Sequence, residues 1–262
     1  VIDEFTGRVM ADRSWGQGLH QLIEAKEGCT LTTRREPLAR ISYQRFFRRY
    51  LHLSGMTGTG TEVRGELGSV YGLAIVPIPT NHPSRRQWCP DRIFETMDEK
   101  WAAIGQRIAD LHRQGVPILL GTRSVAASEI ASQHLAALGL EHEVLNAKQD
   151  GAEAAIVARA GAVGGITIAT NMAGRGTDIK LDQAVIDRGG LHVILSERHE
   201  AGRIDRQLAG RCARQGDPGC FEAILSVEDA LLEPYRGGLL DWLLLASTRP
   251  GTAFGARARY WF

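Results

Sequence analysis

Two arginine-bearing segments carry the residue types best suited to chemistry on a phosphate. In the first, an apolar stretch is followed by Gly174, Arg175, Gly176, Thr177 and Asp178. Glycine lets the backbone approach a ligand closely and adopt a positive φ. Arg175 can pair with a phosphate, and Asp178 can accept hydrogen bonds from a ribose hydroxyl or orient an arginine. This segment is therefore a candidate nucleotide-binding loop, and the competing interpretation is an ordinary strand-to-helix turn with a surface arginine.

The second segment contains four long polar side chains spaced by four, four and three residues: Arg203, Gln207, Arg211 and Arg214. This spacing predicts one face of a helix that stops at the turn formed by residues 216–219. Guanidinium groups in such a row can stabilise the charge that develops in phosphoryl transfer, an effect of about 10³–10⁵ in rate. The alternative is a solvated basic face, but Glu200 and Asp205 supply too few negative charges to balance the row.

The chain lacks the usual loop for holding a triphosphate. No Gly-Lys pair occurs, so the pattern G-x-x-x-x-G-K-[ST] is absent, and the glycine-rich turn at residues 55–60 does not replace it. Most phosphate and magnesium binding is therefore expected to come from another domain, and the chain alone is expected to be inactive in nucleotide hydrolysis. His192 and His199 are interpreted as structural, and no metal site is predicted.

Composition narrows the function classes. The 262 residues include 31 Lys and Arg against 30 Asp and Glu, a net charge of +1, which does not favour a dedicated nucleic-acid binder. The four cysteines show no C-x-x-C pair and do not predict a disulfide framework, so a reducing cytoplasmic setting is expected. Apolar runs such as residues 243–246 are far too short to span a bilayer. Because the chain begins at Val1, we expect it to be a piece of a longer protein.

Short apolar strands alternate with helices in the second half of the chain. The predicted strands are 116–120, 143–145, 166–170, 191–195 and 222–225, and the predicted helices are 124–138 and 150–160. This alternation predicts an α/β fold, a doubly wound parallel sheet that binds ligands at the carboxyl ends of its strands. Earlier in the chain we predict a helix at 18–26, a short buried strand at 73–78 and a connector at 81–90.

Several stretches resemble the SecA family of preprotein translocase ATPases. They are residues 3–8, 18–21, 24–28, 55–59, 78–81, 121–122, 144–148, 170–179, 189–192 and 215–219. The resemblance implies a RecA-like second motor domain of the P-loop NTPase superfamily, preceded by a mainly helical segment from neighbouring domains. The implied divisions are the end of the preprotein-crosslinking domain (1–33), the last part of nucleotide-binding domain 1 (34–81), nucleotide-binding domain 2 (82–232) and a divergent tail or helical scaffold (233–262).

The resemblance also implies roles for residues that match the family's motifs. Nucleotide would be contacted by Asp178, Arg175, Gly174, Gly176, Thr177 and Gln207. The catalytic residues would be Arg211 and Arg214, which reach its phosphates across a cleft, and Gln215, which couples nucleotide state to domain closure. Related sequences usually read Arg-Ser-Gly-Arg where this chain has Arg211-Cys212-Ala213-Arg214. Losing that glycine is expected to stiffen the turn beside the catalytic arginines.

Ligands, partners and location are implied in the same way. The motor would use ATP and ADP with Mg²⁺, bound mainly by nucleotide-binding domain 1, to move unfolded preproteins across the cytoplasmic membrane. Its partners would be a SecYEG-type channel, an anionic membrane surface and a second copy in a homodimer, with no nucleic acid expected. It would be cytoplasmic and peripheral to the inner membrane face. Two alternatives stay open, a non-catalytic regulatory or nucleotide-binding SecA-like module and a superfamily 2 nucleic-acid helicase half.

Overall fold

A computed structural model of the protein describes residues 10, 13–33, 39–145, 153–170 and 177–231. The chain divides into two compact units between Pro79 and Thr80. Among the described residues, no helix is both long and apolar enough to cross a membrane.

The first unit contains three helices and a single 3-10 turn among its described residues. They are α1 (Leu19–Lys26), α2 (Tyr43–Phe47), the 3-10 turn (Gly60–Val63) and α3 (Arg64–Tyr71). The predicted helix at 18–26 is confirmed as α1, and Gly28 beyond it has a φ of 67°. The predicted buried strand at 73–78 is wrong, because these described residues form no strand and the Ile78 side chain is 83% exposed. The segment contains Pro77, which has no N–H to donate to a neighbouring strand.

The second unit is a parallel sheet with helices between its strands. The strands are β1 (Arg85–Trp88), β2 (Arg92–Phe94), β3 (Ile118–Thr122), β4 (Glu143–Leu145), β5 (Ile166–Thr170), β6 (Leu191–Leu195) and β7 (Pro218–Ser226). The helices are α4 (Met97–Arg113), α5 (Val125–Ala137), α6 (Glu153–Arg159), α7 (Gln183–Ile186) and α8 (Gly202–Ala209). The strand order is β1-β7-β6-β3-β5-β4, and β2 follows β1 along the same edge of β7. The predicted parallel α/β sheet is confirmed.

Alternating side chains along the strands build one core on each face of the sheet. On β6, Val193 points into the core that contains residues of α6 and α8, while Ile194 points into the core that contains residues of α4 and α5. Both residues are fully buried. Helices therefore cover both faces, as a strand with apolar residues at successive positions requires.

Local signals fix where the two longest helices start. Thr96 accepts a hydrogen bond from the backbone of Glu99, and the Glu99 side chain accepts one from Thr96, which is a capping box at the start of α4. Ser124 accepts a hydrogen bond from the backbone N–H of Ala127 and caps α5 in the same position.

The segment predicted as a connector is part of the sheet. β1 occupies its second half, and the register pairs Arg85 with Pro218 and Trp88 with Phe221. Its sequence, Arg-Arg-Gln-Trp, carries no apolar alternation because an edge strand pairs on one side only and leaves most of its side chains exposed.

The structure also corrects the prediction about cysteine. Cys89, which follows β1, forms a disulfide with Cys220 on β7, although 131 residues separate them in sequence. The pairing follows from the sheet topology, since β1 and β7 are neighbours. Cys29 and Cys212 are free thiols.

Candidate functional site

The two candidate catalytic arginines lie in a turn rather than on a helix. Helix α8 ends at Ala209, and residues 210–216, which we call the arginine turn, lead from it into β7. The backbone N–H groups of Arg211 and Cys212 bond to carbonyls three residues earlier, which tightens the chain and ends the α-helical pattern. Ala213 then has a φ of 54°, which turns the chain out of the helical path. The predicted single helical face of Arg203, Gln207, Arg211 and Arg214 is therefore wrong for its last two members.

The turn also lies at a different edge of the sheet from the one predicted. Its last residues run directly into Pro218, the first residue of β7, so it lies at the amino end of that strand. The expectation of a site at the carboxyl ends is wrong for these arginines because the eight residues of α8 intervene between the carboxyl end of β6 and the turn.

Both arginines reach the segment that follows β5. The Nη1 atom of Arg214 donates to Oδ1 of Asp178 at 2.5 Å, and its Nε donates to the carbonyl of Gly210 at 2.9 Å. Nη1 of Arg211 donates to the carbonyl of Thr177 at 3.3 Å. The structure thus brings together four residues that the sequence singled out in two separate segments.

The Arg214–Asp178 pair is exposed enough to be exchanged for another ligand. Its side chains are 33% and 44% exposed, and ion pairs at this level of exposure contribute at most about 1 kcal/mol. A phosphate group offers the Arg214 guanidinium a bidentate, charge-assisted contact that is at least as strong. Asp178 here orients an arginine, which is one of the two roles that its side chain was expected to serve.

The remaining predicted residues are placed less completely. Gln207 is half-buried on α8, and Gln215 is exposed in the arginine turn with a φ of 53°. Gly174, Arg175 and Gly176 lie outside the described residues.

The carboxylate at the start of α8 has a role that the sequence did not reveal. Asp205 is buried, and Oδ1 accepts the backbone N–H of His199 at 3.3 Å and contacts the His199 ring Nδ1 at 2.6 Å. Oδ2 accepts from Arg198 at 3.2 Å, and Arg198 also bonds to Asp91. Asp205 therefore anchors the beginning of α8. Its position in the sequence had suggested instead that it offsets part of the charge of the arginine row.

The inner side of the arginine turn packs against the edge of the sheet. Cys212 is buried, its Sγ contacts the carbonyls of Ala209 and Cys220 at 3.3 and 3.5 Å, and burial raises the pKa of its thiol. The carbonyl of Cys212 accepts a hydrogen bond from Nη2 of Arg86 on β1 at 3.0 Å. No local pattern could have predicted this contact, because its partners are 126 positions apart in the sequence.

The described residues do not fit a magnesium site of their own. No group of three or more His, Cys, Asp or Glu side chains in this part of the chain is placed to hold a metal ion. We therefore assign no magnesium ligand to the described part of this chain.

Comparison with protein families decides the relationship. The model of the SecA P-loop domain matches residues 83–185 and 182–248, and the model of the SecA DEAD-like domain matches residues 3–68. The chain belongs to the SecA family. The name of the first SecA model describes a domain type, since the Walker pattern itself does not occur in this sequence.

Curated relatives agree with this assignment. The chain is 60% identical over 256 residues to the protein translocase subunit SecA 2 of Bordetella avium, covering 96% of this chain and 38% of that protein. It is 54% identical over 259 residues to SecA 2 of Nitrosospira multiformis, covering 99% of this chain and 39% of that protein. It is 57% identical over 249 residues to SecA 3 of Magnetococcus marinus, covering 94% of this chain and 38% of that protein. The chain thus spans less than two fifths of the length of these SecA relatives.

Among solved structures, the chain resembles the E. coli DEAD-box protein SrmB bound to the regulator of ribonuclease activity A. The sequence identity is 20%, the TM-score is 0.46, and the match covers 58% of this chain and 83% of that chain. A likeness of this size supports no statement about function. The parallel sheet with flanking helices and the match to the SecA P-loop domain together assign the P-loop NTPase fold.

Proposed function

We propose that this SecA-family chain contributes the second motor half of an ATP-driven protein translocase that moves unfolded preproteins across the cytoplasmic membrane. The observation that carries the proposal is the convergence of Arg211 and Arg214 on Thr177 and Asp178. Both side chains extend from the arginine turn and donate to neighbouring residues of one segment. Two guanidinium groups placed so close together are suited to bind the phosphates of a nucleotide held by another domain.

The proposal includes the domain layout. Residues 1–33 end the preprotein-crosslinking domain, 34–81 complete nucleotide-binding domain 1, 82–232 form nucleotide-binding domain 2, and 233–262 begin the helical scaffold or a divergent tail. The match to the SecA P-loop domain, which extends to residue 248, supports the third of these divisions and reaches into the fourth.

In the proposed mechanism, ATP binds mainly to nucleotide-binding domain 1, and the second motor domain in this chain completes its binding site. Arg214 exchanges its contact with Asp178 for the terminal phosphate, and Arg211 binds the same charge as it builds up in the transition state. The released Asp178 carboxylate accepts hydrogen bonds from the ribose. The loop residues Gly174, Arg175, Gly176 and Thr177, together with Gln207, complete the contacts to nucleotide.

Gln215 is proposed to couple nucleotide state to domain closure. It stands next to Arg214 in the arginine turn with a φ of 53°. A non-glycine residue at positive φ is held there by its surroundings, so a displacement of Arg214 by nucleotide is transmitted directly to the Gln215 backbone.

The proposed partners are unfolded preproteins and a SecYEG-type channel, and the names of the relatives, which read protein translocase subunit, support a role in protein translocation. An anionic membrane surface and a second copy of the protein complete the set. The protein is proposed to act in the cytoplasm, bound peripherally to the membrane. Nucleic acid is not a proposed partner, because the net charge of the chain is only +1.

The test is the ATP turnover of the full-length translocase that contains this chain, measured alone, with an unfolded preprotein and with RNA. Turnover stimulated by preprotein and not by RNA is the expected result. Stimulation by RNA alone would replace the proposal with a helicase half, and absence of turnover under all three conditions would replace it with a regulatory module.

A further inference from the structure

Arg86 makes a contact with the arginine turn that neither its sequence position nor the proposed site predicts. It stands on β1, at the edge of the sheet, and Nη2 donates to the carbonyl of Cys212 at 3.0 Å. Its guanidinium also lies 5.9 Å from the centre of the Trp88 ring. The side chain is half-buried, whereas its neighbour Arg85 is exposed.

The electrostatic surroundings of Arg86 single out the carbonyl contact. Among the described residues, no carboxylate lies within salt-bridge distance of this arginine, and its Nε is buried without a hydrogen-bond partner. A partly desolvated cation needs an acceptor, and the acceptor that the structure supplies is the Cys212 carbonyl. The contact is also charge-assisted, which makes it stronger than an ordinary hydrogen bond to a carbonyl.

The carbonyl that Arg86 holds belongs to the peptide group directly before Ala213. Ala213 has a φ of 54°, and an L-residue with a Cβ keeps this conformation only when its surroundings enforce it. The opposite side of the turn is held by β7, where a Cβ on Gly219 would lie 2.8 Å from the Ala213 nitrogen. The peptide plane is thus confined between the Arg86 side chain and the β7 backbone.

The strand that carries Arg86 is itself fixed. The four residues of β1 pair with residues 218–221 of β7, and the N–H of Cys89 donates to the carbonyl of Phe221 at 2.8 Å. A guanidinium on such a rigid element can define the position of a turn more closely than one on a loop.

We propose that Arg86 is a positioning residue for the arginine turn. By holding the Cys212 carbonyl, it keeps Ala213 in the left-handed conformation and so directs the side chain of Arg214 toward its ligand. The structural part of this inference stands alone, and the catalytic part rests on the proposed function.

The structural part is tested on the 262-residue chain by the rate at which a maleimide labels Cys212, read from the labelled peptide by mass spectrometry under non-reducing conditions. Cys29 is replaced by Ser, since it is the other free thiol. Arg86→Ala leaves the carbonyl without its charged donor, so the buried thiol should become accessible and its labelling rate should rise about ten- to a hundredfold, an effect that outweighs the slower reaction expected because Arg86 also lowers the pKa of this thiol. The matched control Arg85→Ala should leave the rate unchanged. Equal rates in both variants would overturn the inference.

A conservative variant separates positioning from misfolding. Arg86→Lys keeps a cationic donor on the same strand, so its labelling rate should lie closer to the unmodified chain than to Arg86→Ala. If Arg86→Lys labelled as fast as Arg86→Ala while both kept the native circular dichroism spectrum, the carbonyl contact would not be what holds the turn.

The catalytic part is tested by steady-state kinetics of the full-length translocase. Arg86→Ala should lower kcat at least about tenfold while the KM for ATP changes by less than about threefold, because most of the ground-state binding of ATP is proposed to come from nucleotide-binding domain 1. Faster labelling of Cys212 with unchanged kcat would overturn the inference that Arg86 affects catalysis by directing the side chain of Arg214. If the unmodified translocase shows no turnover, the proposed function fails, and the labelling experiment still decides the role of Arg86.

Discussion

Replacing Lys100 by methionine should lower the free energy of unfolding by about 3–5 kcal/mol. Lys100 lies in the first turn of α4 and forms an ion pair with Asp229, which follows β7. The two side chains are only 1% and 4% exposed. Methionine fills a similar volume but leaves the carboxylate buried without its cation, and that uncompensated charge is the source of the loss.

The loss should depend on pH in a defined direction. Burial raises the pKa of the Asp229 carboxyl even though the charge and hydrogen bond of Lys100 lower it, and the charge of Glu197 raises it further. The folded state therefore binds this proton more tightly than the unfolded state, so the contribution of Asp229 to stability falls as pH rises through the folded pKa. Without Lys100 the pKa rises again, and Lys100→Met should cost more stability at about pH 7.5 than at about pH 5.

Urea unfolding of the full chain, followed by circular dichroism at both pH values, measures these effects. Lys180→Met removes an exposed lysine from the same unit and should change the stability by less than about 0.5 kcal/mol. Adding Asp229→Asn to Lys100→Met should restore part of the loss, since the amide carries no charge to leave unpaired. A loss below about 1 kcal/mol, or an equal loss at both pH values, would refute this explanation of the buried pair.

Three further predictions concern other parts of the second unit. Burial would raise the pKa of Glu222, but hydrogen bonds from His192 and Arg107 hold it below the ordinary value of 4.5. Glu222→Gln should therefore cost about 1–3 kcal/mol at neutral pH, and the difference should shrink as the pH falls through the lowered pKa of the folded state, where the native carboxyl becomes protonated too; a difference that does not change with pH would contradict this. Reduction of the disulfide between β1 and β7 should lower stability by about 2–5 kcal/mol, because the bond closes a long loop, and identical unfolding curves with and without reductant would disprove it. Gly190→Ala should cost about 3 kcal/mol, since Gly190 has a φ of 78° and a Cβ there would lie 1.9 Å from the carbonyl oxygen of Pro218. An Ala variant that unfolds at the same temperature as the unmodified chain would show that the Gly190–Pro218 contact can accommodate a Cβ.

Three of the strands could be predicted from sequence because their physical signal is local. The strands at 143–145, 166–170 and 191–195 were predicted with their observed bounds, since the last two are mostly apolar and are buried on both faces of the sheet. Strands β1 and β2, which lie along one edge of β7, were missed because neither shows apolar alternation: β1 carries mostly polar, exposed side chains, and β2 has only three residues. The strand predicted at 73–78 failed for the opposite reason, as its apolar residues have no neighbouring strand among the described residues.

The candidate site was predictable in its residues but not in its geometry. The spacing of the arginines predicted that Arg211 and Arg214 lie on a helix, because spacing carries no information about the sign of φ in the residues between them. The one available signal was that related sequences usually carry glycine where this chain has Ala213, a position that the structure shows at a φ of 54°. The contact of Arg86 with Cys212 depends on the register of two strands far apart in sequence, which no local pattern specifies.

The role of the arginine turn in ATP hydrolysis is tested most directly by Arg214→Ala in the full-length translocase, with ATP turnover and ATP affinity measured on the same preparation. Arg113→Ala, which removes an exposed arginine of α4, is the control. Arg214→Ala should lower kcat by about 10³-fold or more while the Kd for ATP changes by less than about tenfold. Unchanged turnover in this variant would contradict the claim that the arginine turn acts on ATP.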